Sequence, residues 1–151
     1  MRAVVQRVER AGVSVDGAVV GSVERGLLVF LGVSGEDAEA DADWLARKLP
    51  DIRIFEDDDG RMNRSLGDVG GAILVISQFT LYGNLRKGTR PSFNRAAPPD
   101  HGNRLYEHFL KSLRAAHEGT VASGRFGAFM TIDAVHDGPV TLILDTRDKG
   151  W

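Results

Sequence analysis

The chain alternates short apolar, β-branched runs with two longer stretches in which apolar residues recur every three or four positions. The most sharply defined run is Ala72-Ile-Leu-Val-Ile-Ser-Gln-Phe-Thr-Leu-Tyr-Gly83. It opens wholly apolar and rich in β-branched residues, which predicts a central strand buried on both faces. Its character then changes. Ser77, Gln78 and Thr80 interleave with Phe79, Leu81 and Tyr82, and Gly83 breaks the run. Polar groups at the end of a buried strand need partners or a task, so Ser77–Thr80 is the first place to look for chemistry. The plainer reading is that Ser77 and Thr80 hydrogen-bond local backbone as the strand ends.

Residues 2 to 33 read as strands joined by tight turns. Ala3, Val5 and Val8 mark the first. Val13 to Val20 alternates around Asp16-Gly17, a dipeptide suited to a type I′ hairpin. Gly26 to Val33 is another buried strand. Arg7 is either a solvated edge residue or a reach into a site, and the former is favoured because isolated arginines are usually exposed. Ser34-Gly-Glu-Asp37 predicts a helix start, with Ser34 as cap and Glu36 and Asp37 in the positive first turn. Ala38, Ala42, Leu45 and Leu49 continue at helical spacing to Pro50, and the acidic positions 36, 37, 39, 41 and 43 read as the helix start and wet side. Ile52 to Phe55 is a short strand. Pro98-Pro99-Asp100 opens a second helix whose inner face is Leu105, Phe109, Leu113 and Ala116, ended by Gly119. Val121–Phe126, Ala128–Asp133 and Val140–Leu144 read as strands, with Gly138-Pro139 in a plain turn between the last two.

Composition narrows the function. A chain of 151 residues, 42% hydrophobic and 26% charged, reads as one soluble domain over residues 1–151. The absence of cysteine excludes thiolate nucleophiles and sulfur-held metal sites. No apolar run approaches the ~18 residues of a membrane span, and the N-terminus is no signal peptide, which fits a cytoplasmic protein with no membrane partner. Glu56-Asp-Asp-Asp-Gly60 lacks the ligand spacing of a calcium loop. His101, His108 and His117 do not form a metal pair one turn apart. Neither metal nor cofactor is expected. His136 beside Asp137 is a weak acid–base candidate. One asymmetry stands out on a chain of net charge −2: from Val69 to Pro99 there is no acidic residue, while Arg86, Lys87, Arg90 and Arg95 share a loop with Phe93. That loop is either a solvated basic surface or a site for an anion such as phosphate.

Two segments carry a resemblance. Ser77-Gln-Phe-Thr-Leu-Tyr-Gly83 resembles the Ser-Gln-Phe-Thr-Leu signature of the D-aminoacyl-tRNA deacylases. His136-Asp-Gly-Pro-Val-Thr141 is similar to their second signature, with His136 where the family usually has asparagine. Met1 to Val8, Lys87 to Phe93 and Gly124 to Met130 are similar to the family's opening strand, basic loop and the strand before the second signature. The tail Asp148-Lys-Gly-Trp151 matches nothing diagnostic.

The resemblance implies an α/β fold of that family: curled β-sheets forming a barrel-like core, with two helices packed outside. It implies a homodimer that hydrolyses the ester between a D-amino acid and the 3′-terminal adenosine of tRNA. Its active site would lie at the subunit interface, where Ser77, Gln78, Phe79 and Thr80 of one subunit meet Gly138 and Pro139 of the other. The family's glycine–proline bond is cis, its carbonyls hold the α-amino group, and it leaves no room for an L side chain. Arg7 matches the arginine that fixes this pair, Met130 lies on the substrate side, and Arg86, Lys87 and Arg90 would meet tRNA. Glycine, having no side chain, should be removed as well. The rival is a non-catalytic RNA-end or nucleotide-binding module that stacks bases on Phe79 or Tyr82.

Overall fold

The structure, a computed structural model, describes residues 1–148. Its elements are β1 (Arg2–Val15), β2 (Ala18–Val23), β3 (Gly26–Gly32), α1 (Glu39–Lys48), β4 (Phe55–Glu56), β5 (Met62–Arg64), β6 (Ala72–Ser77), α2 (Pro99–Ala116), β7 (Val121–Ser123) and β8 (Thr131–Asp145). A 3₁₀ turn at Phe79–Tyr82 follows β6. The small hairpin β4–β5 stands apart from the main sheet.

The main sheet runs β2-β1-β3-β6-β7, with β8 on the other side of β1. The long β1 is antiparallel to β3 over Arg2–Val8, to β2 over Ala11–Val15 and to β8 over Arg2–Ser14. The hairpin forms at Asp16 and Gly17, which take φ of 51° and 79°, as a type I′ turn requires. β3, β6 and β7 are parallel, because α1 and α2 carry the chain back between them. The sheet curls until β2 meets β7: a Cβ on Gly21 would stand 2.7 Å from the Ser123 carbonyl oxygen. The result is an α/β fold, a nearly closed barrel-like sheet with two helices outside.

Alternation along the central strands builds two cores. Leu27, Val29 and Leu31 of β3, with Ile73 and Val75 of β6, face the helices and pack on Leu45, Leu105, Phe109 and Leu113. Leu28, Leu74 and Ile76 point into the curl against Val8, Val13 and Val23. Residues of both parities are therefore buried, which is why these strands read as continuous apolar runs. α1 and α2 are tied at their wet edge, where Asp43 Oδ1 accepts from Ser112 Oγ at 2.6 Å and lies 2.8 Å from His108 Nε2.

Several sequence expectations change. α1 starts at Glu39, with Asp41 Oδ2 accepting the Ala38 N–H at 3.0 Å. Ser34 belongs instead to a separate turn, where Asp37 Oδ2 accepts its N–H at 2.7 Å. Asp37 is buried, not wet, and its Oδ1 lies 2.7 Å from the Met1 ammonium. The 52–55 strand shrinks to Phe55–Glu56, whose partner is β5. Helix α2 ends at Ala116, three residues before Gly119, and Ala116 itself is exposed. β7 stops at Ser123, and residues 124–130 form a loop. Gly138-Pro139 is no turn: β8 runs through it, and the bond is cis. Gln6 faces Thr141 and Val8 faces His136, so 137–140 bulge out of the pairing with β1. Residues 149–151 of the tail lie outside the described residues.

Candidate active site

Parallel strands end together, and ligands favour the crevice beyond their carboxyl ends. Here β3 ends at Gly32, β6 at Ser77 and β7 at Ser123. Beyond them opens a cleft of about 470 Å³. Ser77, Gln78 and Phe79 form one wall, the start of α2 a second, and the Phe126–Met130 loop a third. Tyr106 and Phe126 meet with ring centroids 5.7 Å apart. The Tyr106 hydroxyl donates to the Val75 carbonyl at 3.0 Å, and burial pushes its pKa up, so it stays a neutral donor. Met130 is seated over Gly124, where a Cβ would approach its sulfur to 2.5 Å. Phe79 and Phe129 are 58% and 93% exposed, large apolar groups at the open side of the cleft.

At the strand end the chain turns sharply. The Gln78 N–H donates back to the Leu31 carbonyl at 2.8 Å, and the Leu81 N–H donates to Gln78 at 3.3 Å. Gln78 is therefore unavailable as a main-chain donor. The N–H groups of Phe79 and Thr80 have no such acceptor among the described residues, as expected for the start of a 3₁₀ turn. The Gln78 side-chain amide donates to Thr80 Oγ1. No histidine, lysine or carboxylate contacts that hydroxyl among the described residues. Thr80 is exposed and outside the cleft lining.

The cleft unites Ser77, Gln78, Phe79 and Met130 of the expected residues. It does not contain Gly138 or Pro139, which are exposed on β8. Gly138 has φ of +130°, and a Cβ there would meet Val140 N at 2.8 Å, so this stretch presents main chain. Arg7 is buried, 5% exposed, not a solvated edge residue. Its Nη1 donates to the Ile54 carbonyl at 2.5 Å and its Nε to the Asp137 carbonyl at 3.2 Å. The other groups of the cleft, Gly102, Tyr106, Phe126 and Phe129 among them, are not singled out by the sequence as site residues. Gly102 left a signal, a glycine within the first turns of a helix, where close approach of another group is the usual reason. A Cβ there would lie 3.3 Å from the Phe126 ring. Arg86 lines a separate basin with Arg2 and Arg95, while Lys87 and Arg90 stand on the exposed loop. Tyr82, offered above as a stacking platform, is buried and cannot serve as one.

With this cleft, the fold defines a class of α/β protein that known proteins share. Over residues 4–145 the chain matches the family described as D-Tyr-tRNA(Tyr) deacylase. A protein of Opitutus terrae named D-aminoacyl-tRNA deacylase is 55% identical over 149 residues, 99% of each chain. One of that name from Thermus aquaticus is 54% identical over 151 residues, 99% of this chain and 97% of its own. Among solved structures, one titled c-Myc DNA Unwinding Element Binding Protein aligns with a TM-score of 0.91 at 39% identity, covering 96% of this chain and 98% of that one. A second, at TM-score 0.80 and 21% identity, shares the fold. The chain belongs to the D-Tyr-tRNA(Tyr) deacylase family, hydrolases that act on ester bonds.

Proposed function

We propose that one domain of this protein, in the cytoplasm, hydrolyses the ester of D-aminoacyl-tRNA to free D-amino acid and tRNA, and that it acts as a homodimer. The observation that carries this reading is a division: the cleft holds Ser77–Phe79 and Met130, while Gly138 and Pro139 stand exposed elsewhere on the same chain. A second copy could bring its own Gly138-Pro139 to this cleft. The exposed Phe79 and Phe129 support a covering partner, as does β8, which pairs only with β1 among the described residues.

An aminoacyl ester is already activated, so modest help suffices. Water attacks the carbonyl carbon. The oxyanion is held by the N–H groups of Phe79 and Thr80, the ester C–O bond breaks, and the ribose 3′-oxygen takes a proton. The 2′-hydroxyl of the terminal ribose positions the water. Thr80 shapes the turn and is no nucleophile, because its hydroxyl accepts from the Gln78 amide and faces no base. The partner's main-chain carbonyls at the glycine–proline pair receive the α-amino group and occupy the direction an L side chain would take. Such exclusion is steric, so glycyl-tRNA enters and is cleaved. Arg86, Lys87 and Arg90 meet the tRNA.

The test is deacylation of D-tyrosyl-tRNA against L-tyrosyl-tRNA with a chelator present. Loss of the D ester alone is expected. No loss of either would favour the binding-module reading, and loss of both would remove the chiral filter from the proposal.

A further inference from the structure

A second basin, of about 500 Å³, lies on the other side of the 3₁₀ turn from the cleft, lined by Arg2, Tyr82, Asn84, Arg86 and Arg95 among others. We propose that this basin binds the backbone phosphates that precede the terminal adenosine of the tRNA. The inference rests on the deacylase reading and adds to it a phosphate subsite, in which Arg2 and Arg95 join Arg86.

Charge is the first argument. No acidic residue occurs from Val69 to Pro99. The guanidinium groups of Arg86 and Arg95 have no carboxylate within ion-pair distance among the described residues. Arg2 is different: Nε and Nη2 reach Asp145 Oδ2 at 3.0 and 2.9 Å, and Nη1 donates to the Leu81 carbonyl at 2.8 Å. Its guanidinium also lies 4.9 Å from the Tyr82 ring centroid. Arg2 is thus a fixed, largely neutralised wall, and Arg86 and Arg95 supply the net positive charge. Two unpaired, forked guanidinium groups at one polar basin match phosphodiester oxygens.

Order is the second argument. The Asn84 and Ser92 backbones exchange hydrogen bonds of 2.9 and 3.0 Å, closing the base of the basic loop. Asn84 Oδ1 accepts the Arg86 N–H at 2.9 Å. The Arg95 carbonyl accepts the Gly35 N–H at 3.3 Å. Both arginines therefore leave the backbone from anchored positions.

Continuity is the third. Phe79 at the head of the turn lines the cleft, and Tyr82 at its end lines the basin. One short wall separates them. Phe79 and Phe93 meet edge-on along it, with centroids 5.0 Å apart. A single strand whose last nucleotide sits in the cleft crosses this aromatic ridge and brings its preceding phosphates to the basin, an arrangement common in single-strand binding.

The test compares two substrates, D-tyrosyl-tRNA and the phosphate-free ester D-tyrosyl-adenosine. Its readout is the ratio of their kcat/KM values. In Arg95→Ala the preference for the tRNA ester should fall about tenfold, the worth of one charge-assisted contact, through KM and not kcat. Arg95→Lys should restore most of it. The slope of log KM against log salt for the tRNA ester should flatten by about 0.7 for each arginine removed. An unchanged ratio and slope in both Arg95→Ala and the Arg86→Ala/Arg95→Ala pair would overturn the phosphate subsite while leaving the deacylase reading intact. If the adenosine ester turns over too slowly to compare, the salt slope decides alone. If the wild-type protein cleaves neither ester, the deacylase reading falls and this inference falls with it.

Discussion

Arg7 Nε lies 3.0 Å from Asp137 Oδ2, and the same guanidinium also binds the carbonyls of Asp137 and Ile54. One buried fork thus ties β1 to the bulge at 137–140 and to the segment before the β4–β5 hairpin. A lysine offers a single ammonium and cannot span all three acceptors. Arg7→Lys should lower stability by about 2 kcal/mol, read as a shift of the urea midpoint. It should also narrow the ratio of D- to L-tyrosyl-tRNA cleavage, because Gly138 and Pro139 lose their anchor. A stability loss with an unchanged ratio would leave Arg7 a purely structural residue.

Thr80 carries a second prediction. Its hydroxyl accepts from the Gln78 amide and is exposed, with no base in contact among the described residues. Thr80→Ala should keep kcat for D-tyrosyl-tRNA within about tenfold of wild type, since a deleted nucleophile costs far more. Abolished cleavage with tRNA binding retained would restore Thr80 as the nucleophile.

Local patterns were legible where local physics decides. The type I′ turn at Asp16-Gly17, the buried run Ala72–Ile76 and the Pro99 start of α2 all follow from short-range rules and hold in the structure. For Arg7 the favoured exposed reading fails, because its burial depends on Ile54 and Asp137, remote in sequence, whereas exposure statistics treat each arginine alone. Ser34 was misread for a related reason. It has a capping residue's chemistry, yet Asp37 turns to bind its N–H and delays the helix by a turn. Gly138-Pro139 has turn composition but lies inside a strand, because pairing with β1 resumes on both sides of the bulge. In the cleft, Ser77 and Gln78 stood out as polar groups at a buried strand's end. Phe126 and Phe129 did not, since nothing local distinguishes an aromatic that lines a cleft from one that fills a core.

Acid should loosen the clasp between the helices. The hydrogen bond from Ser112, then that from His108, holds the Asp43 carboxyl below its ordinary value of 3.8. The folded state thus releases this proton more readily than the unfolded chain, so the unfolded state binds more protons in between and stability rises with pH there. The contribution is present in full above the unfolded value and is lost as pH falls through the lower folded one. Asp43→Asn should therefore be less stable than wild type at pH 7, with the gap closing on acidification below about pH 4. Urea midpoints of both proteins between pH 7 and 2 would check this. A gap constant across that range would mean that the carboxylate's charge contributes nothing.

Gly102 gives the sharpest test of the cleft itself. It sits in the first turns of α2, where its N–H donates to the Pro98 carbonyl at 2.8 Å. Alanine favours a helix over glycine by about 1 kcal/mol, so Gly102→Ala should not be destabilised by the backbone. Its new Cβ would stand 3.3 Å from the Phe126 ring and 3.7 Å from the Ala97 Cβ. Phe126 must give by a few tenths of an ångström; it packs on Tyr106 at the edge of the core but is only half-buried, and the open cleft beside it leaves room for that shift. The expected result is a melting temperature equal to or above wild type, with a KM for D-tyrosyl-tRNA raised severalfold. Gly102→Leu should extend the effect to near-complete loss of turnover, because its longer side chain enters the space the substrate needs. Full activity in Gly102→Leu would mean that the ester is bound elsewhere on the protein.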